Sequence, residues 1–175
     1  MKLDFDNIFE NRISIDDFQL NWRFKDEKHD RLPDLHLEQL LPLDKDASEY
    51  LWNYIVNAEL HSEFPFKKTF FSTVVHKTIV LNDNNKEVKT WLYERGLPLD
   101  KYVFLSWQKT IAMIVPWKLL IKYFNSFYYG ISDDLTIIDQ SLTWALLFYH
   151  SDQIYFGATD NYKPSKNFEN INLLL

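Results

Sequence analysis

The sequence has 175 residues, 19 Lys and Arg against 25 Asp and Glu, a formal net charge of −6 and no cysteine. That length suits one domain, and without cysteine there is no disulfide, thiolate nucleophile or cysteine-ligated zinc. The acidic balance opposes phosphate backbones, which points away from nucleic acid and toward a basic protein partner.

The opening residues Met1-Lys2-Leu3-Asp4-Phe5-Asp6 are interrupted by charge at once, so no signal-peptide core is expected there. Residues 16–23 predict a short helix with Phe18 and Trp22 four apart on one face. Residues 25–46 are polar, carry Pro33 and Pro42, and predict a long surface loop. Residues 44–60 predict a longer helix, with Asp44, Asp46 and Glu49 where the helix dipole favours negative charge and an apolar stripe at Leu51, Tyr54, Ile55 and Ala58.

Residues 69–81, with Val74, Val75, Ile79 and Val80, predict extended chain broken near His76-Lys77. Asn82-Asp83-Asn84-Asn85 reads as a turn and helix cap before a helix over 86–95, which Gly96 and Pro98 close. Residues 102–107 and 110–115 read as a hairpin around Gln108-Lys109, and Pro116 opens a helix running through Phe127 to Gly130. Residues 135–138 predict a strand. Residues 142–149 and 153–156 predict a hairpin through His150-Ser151-Asp152. Trp144, Leu146 and Phe148 alternate with Ala145, Leu147 and Tyr149, so this strand is expected to be covered on both faces.

The sum is a single α+β domain over 1–175, with a mainly antiparallel sheet of four to six strands and about three helices. Residues 158–175 form its polar C-terminal tail, ending in three leucines. No run approaches the roughly 20 apolar residues of a membrane span, so a cytoplasmic protein is expected. Aromatics reach 17%, more than a core needs, so some are expected at a partner surface.

Glycine occurs only at 96, 130 and 157, which leaves no phosphate-binding loop, and no HExxH or GxSxG motif is present. Asp133, Asp134 and Asp152 gather near predicted strand ends. With Asp30, Asp34 and Glu38 of the 25–46 segment they are the candidate partner-binding residues. An alternative reading joins Asp133, Asp134, His150 and Asp152 as divalent-metal ligands or acid–base groups of a hydrolase. A plainer reading makes the Ser-Asp pairs turn formers that bond nearby backbone amides. His61 fits a helix stop better than a ligand. Ser106 has no His or Asp assigned to activate it, and Trp107, Trp117 and Trp144 fall in apolar runs that suit a core. Lys109, Lys118 and Lys122 are too few for a nucleic-acid patch.

The segments Leu105-Ser106-Trp107, Trp117-Lys118-Leu119-Leu120-Ile121-Lys122-Tyr123-Phe124, Ser132-Asp133-Asp134-Leu135 and 141–150 resemble small uncharacterised bacterial proteins. In character they resemble the immunity proteins encoded beside polymorphic or contact-dependent toxins. The resemblance implies a cytoplasmic, acidic, one-domain protein without cofactor that occludes a toxin. The expected function is therefore non-enzymatic protein binding, with a metal-dependent hydrolase or a structural or regulatory subunit as alternatives.

Overall fold

Apolar runs of strand length dominate the second half of the chain, and the backbone polar groups of such runs must be paired within a sheet. The computed structural model describes residues 3–29, 31–79, 85–165 and 171–173. Among them, seven strands form one antiparallel sheet: β1 (Leu41–Pro42), β2 (Thr73–Thr78), β3 (Tyr102–Gln108), β4 (Ile111–Pro116), β5 (Leu135–Ile138), β6 (Trp144–Tyr149) and β7 (Gln153–Ala158). Their spatial order is β1-β4-β3-β5-β6-β7-β2.

Six α-helices accompany the described strands: α1 (Trp22–Lys25), α2 (Asp34–Leu37), α3 (Lys45–Asn57), α4 (Lys86–Tyr93), α5 (Trp117–Lys122) and α6 (Phe124–Phe127). The α+β class is as expected, with one more strand than the upper expectation and with short additional helices. None of the described helices is long and apolar enough to cross a membrane.

The sheet is covered on both faces. Against one face pack Phe24, Leu37, Leu92, Trp117, Leu120 and their neighbours from every helix except α3. Against the other pack Leu51 and Ile55 of α3, with Ile8, Leu60, Phe66 and Phe71. Strand residues alternate between the two layers: Trp144, Leu146 and Phe148 face the first and Ala145 and Leu147 the second. This is the double coverage expected for β6. Strand β2 lies at the sheet edge, where Thr73, Lys77 and Thr78 suit a solvated border.

Several expectations change in detail. Residues 25–46 are not a plain loop, because Leu32, Leu37 and Leu40 are buried and tie α2 and β1 to the body. Strand β2 runs through His76-Lys77 without a break, since His76 pairs with Tyr155 and Lys77 with Ile154. The helix expected over 117–127 divides at Tyr123, whose φ of −122° and ψ of 29° leave the helical region. The turn residues Asn82-Asp83-Asn84, Asp30 and residues 166–170 and 174–175 of the tail lie outside the described residues.

Helix α3 positions the site described below. The Asp44 carboxylate accepts the backbone N–H of Ala47 at 2.8 Å and caps its start. At its other end Leu60 N–H reaches Ile55 O and Glu59 N–H reaches Val56 O, with Glu59 at φ 56°: a Schellman closure without the usual glycine. Asp44→Ala is expected to destabilise the fold by about 1 kcal/mol. That appears as a fall of about 2–4 °C in melting temperature by circular dichroism.

Candidate functional site

The register of β5 on β6, with Leu135 opposite Phe148, brings residues 133–134 to the end of the sheet that also carries 149–152. The Asp134 carboxylate accepts the His150 backbone N–H at 3.1 Å and meets His150 Nδ1 at 2.8 Å. Asp133 turns the opposite way. It is 8% exposed and takes both terminal guanidinium nitrogens of Arg23, at 2.5 and 3.1 Å, plus the Tyr129 N–H at 2.9 Å. Arg23 itself lies 4.4 Å from the Tyr129 ring centre.

Asp152 holds the hairpin turn at φ 59°, and its carboxylate packs on the Gly130 backbone so closely that a Cβ there would come within 2.0 Å of Oδ1. Among the described residues no three His, Asp or Glu side chains gather to hold a metal ion. The residues of the alternative metal set, Asp133, Asp134, His150 and Asp152, are not gathered in this arrangement: Asp133 is taken by Arg23 and Asp134 by His150. Asp133 is likewise a buried structural anion and no surface contact. Asp34 and Glu38 are exposed, with Asp34 paired to Arg31 at 3.1 Å.

The concave site lies on the α3 face. Strands β3 and β5 place Ser106 directly opposite Thr136, two hydroxyls among apolar strand neighbours. The chain leaving α3 then crosses over them. His61 stacks on Phe66 at 5.5 Å and faces the Pro65 carbonyl through Nδ1 at 2.7 Å. A carbonyl only accepts, so Nδ1 carries the proton and Nε2 accepts the Thr136 hydroxyl at 2.8 Å. His61 keeps an exposed edge, yet desolvation of its ring, packed on Phe66, lowers its pKa from the ordinary value. The Pro65 carbonyl and the Asp134 charge oppose that shift without reversing it.

Around these groups opens a cleft of about 600 Å³. Trp52 and Ile55 of α3, Trp107 of β3, Leu147 and Tyr149 of β6, and Phe64 wall it. Ser106 is 2% exposed, lines the cleft, and its Oγ has no hydrogen-bond partner among the described residues. Val56 and Phe64 stand at the mouth, 52% and 57% exposed, and the Phe64 ring lies 4.7 Å from Tyr149 and 5.2 Å from Tyr155. A mostly apolar hollow of this size with a few convergent polar groups has the form of a binding site. The sequence assigned none of it. The available signal was a hydroxyl interrupting each of two apolar strand runs, Leu105-Ser106-Trp107 and Leu135-Thr136-Ile137.

A second hollow of about 440 Å³ lies over Asp139. Burial pushes this carboxyl up in pKa, but hydrogen bonds from Lys101, Ser141 and Trp144 outweigh it and hold the group below its ordinary value. The Trp144 indole donates at 2.8 Å and the Ser141 N–H at 2.8 Å, while Lys101 forms the ion pair. Asp139 is thus fully engaged in fixing the turn into β6.

Two outcomes follow. Arg23→Met leaves Asp133 buried without its counter-charge and is expected to cost about 3–5 kcal/mol in urea unfolding. His61 has a folded pKa below its unfolded one, so the unfolded state binds more protons between the two values and stability falls as pH drops through that window below about 6.5. His61→Gln is expected to flatten that part of a denaturation profile taken from pH 7 to pH 5.

Compared with protein families, curated proteins and solved structures, the chain matches none.

Proposed function

We propose that this chain is a non-enzymatic binding protein that docks a protein partner over the cleft between α3 and the sheet. Its setting would be that of an immunity protein occluding a basic bacterial toxin. The observation that carries this reading is the aromatic mouth of the cleft, where Phe64 and Val56 are more than half exposed beside Tyr149 and Tyr155. Exposed rings over a preformed hollow are what protein interfaces use as anchors.

The acids at the rim add little attraction of their own. Glu59 pairs with Lys67, Glu63 with Lys68 at 3.4 Å, and Asp134 with His150. Long-range attraction of a basic partner comes instead from the net charge of −6. Charge therefore sets the rate of encounter, and the rings set the lifetime of the complex.

The reading is tested by mixing the chain with the product of the adjacent gene. Co-elution in gel filtration is expected, and separate elution at micromolar concentration defeats it. In the complex, Phe64→Ala should raise Kd by about tenfold or more in calorimetry. Leu35→Ala, 70% exposed on α2 at the opposite face, should leave Kd unchanged.

A further inference from the structure

The floor of the cleft makes a narrower demand than its walls. Ser106 and Thr136 are directly opposed on neighbouring antiparallel strands, which sets their Cβ atoms about 5 Å apart. The Thr136 hydrogen is committed to His61 Nε2, so its oxygen offers only lone pairs to anything entering. Ser106 keeps an O–H without an acceptor. A single hydroxyl seated between them would donate to Thr136 Oγ1 and accept from Ser106 Oγ, completing both. Burying a hydroxyl unpaired is costly. The Ser106 Oγ is closed to solvent, but the residue lines the hollow, so a turn of its side chain would bring the hydroxyl to an entering group.

The walls decide what carries that hydroxyl. Trp52, Phe64 and Tyr149 offer ring surface, which favours an aromatic body, while the Trp107 indole turns to the other layer and donates to Phe127 O. The floor has no cation to receive a carboxylate, and Asp134 at the margin would repel one. An aromatic ring with a neutral hydroxyl at its inner tip is a phenol. Phe64 and Val56 outside the mouth would stay bare over a free phenol, but a protein carrying the ring would cover them. We propose that the cleft receives a tyrosine side chain of the protein partner, its phenol oxygen bridging Ser106 and Thr136. This rests on the reading of the cleft as the docking site.

The experiment titrates the full chain, labelled with nitrogen-15, with N-acetyl-tyrosinamide, N-acetyl-phenylalaninamide and 4-methylphenol. The tyrosine derivative is expected to shift the amides of Ser106, Thr136 and residues 61–64 saturably, and the phenylalanine derivative to bind at least about fivefold more weakly. Ser106→Ala should abolish that preference while the melting temperature stays level or rises, since the substitution removes a buried hydroxyl with no partner. A purely structural Ser106 would not couple the two readouts in this way. Absence of saturable shifts, or equal affinity for the two derivatives, overturns the proposal. So does binding of 4-methylphenol without the tyrosine derivative, which would assign the cleft to a free phenol. The probes need no partner, so their result stands separately from co-elution.

Discussion

A sheet covered on both faces has no water at its interior positions, and each polar group placed there must find its partner inside the protein. The protein meets this constraint repeatedly. Asp133 takes Arg23, Asp139 takes Lys101, Ser141 and Trp144, and Thr136 takes His61. Each pairing also joins distant parts of the chain. Arg23 ties α1 to the entry of β5, Lys101 ties the start of β3 to the end of β5, and His61 ties the exit of α3 to the sheet centre. Ser106 is among the buried groups that do not meet it, and it lines a cleft. Ser48 Oγ, Trp117 Nε1 and Thr159 Oγ1 are also buried without a partner among the described residues, so the inference about its occupant rests on the place of Ser106 in the cleft and not on its being an exception.

The cleft exists because α3 covers the sheet only in part. The helix packs on β3 and β4 and stops at Asn57. Glu59 in the left-handed region then sends the chain back across the strands. Phe66 and Phe71 fill the layer beyond, and Phe71 lies so close to β7 that a Cβ at position 157 would come within 2.1 Å of its ring. Gly157 is thus required by a close approach of ring to backbone. Between the end of α3 and these phenylalanines remains the hollow that Trp52, Phe64 and Tyr149 wall. Its shape follows from a helix stop, a glycine and two phenylalanines.

The sheet was legible because its signal is local. Alternation over residues 142–149 gives both the strand and its double burial, and Gly96-Leu97-Pro98 stops α4 through backbone geometry alone. The 25–46 segment misled because its leucines are spaced among charges, and only the sheet they cover explains their burial. Thr69, Phe70 and Phe71 read as strand by composition, yet pairing with β7 begins only at Thr73. The site was harder still. His61 and Thr136 are 75 residues apart, and the opposition of Ser106 to Thr136 is a matter of register, which no local pattern records. A sequence shows clustered acids readily. A gap between a helix and a sheet leaves almost no trace in it.

Asp133 and Asp134 show why clustering in sequence is a poor guide to chemistry. Adjacent residues entering a strand go to opposite faces, so one carboxylate was bound for the interior from the outset. The interior one is paired with Arg23, and the outer one is hydrogen-bonded by the half-exposed His150. What remained at that end of the sheet was neither a cation site nor a strongly negative patch. On the proposed reading, recognition there would rest on shape and hydrogen-bond geometry, with the whole-chain charge acting only at long range. Such a site discriminates by what it leaves unpaired. An aromatic side chain without a hydroxyl fits the same walls but strands the serine, and that difference is the kind of selectivity a buried, partnerless group confers.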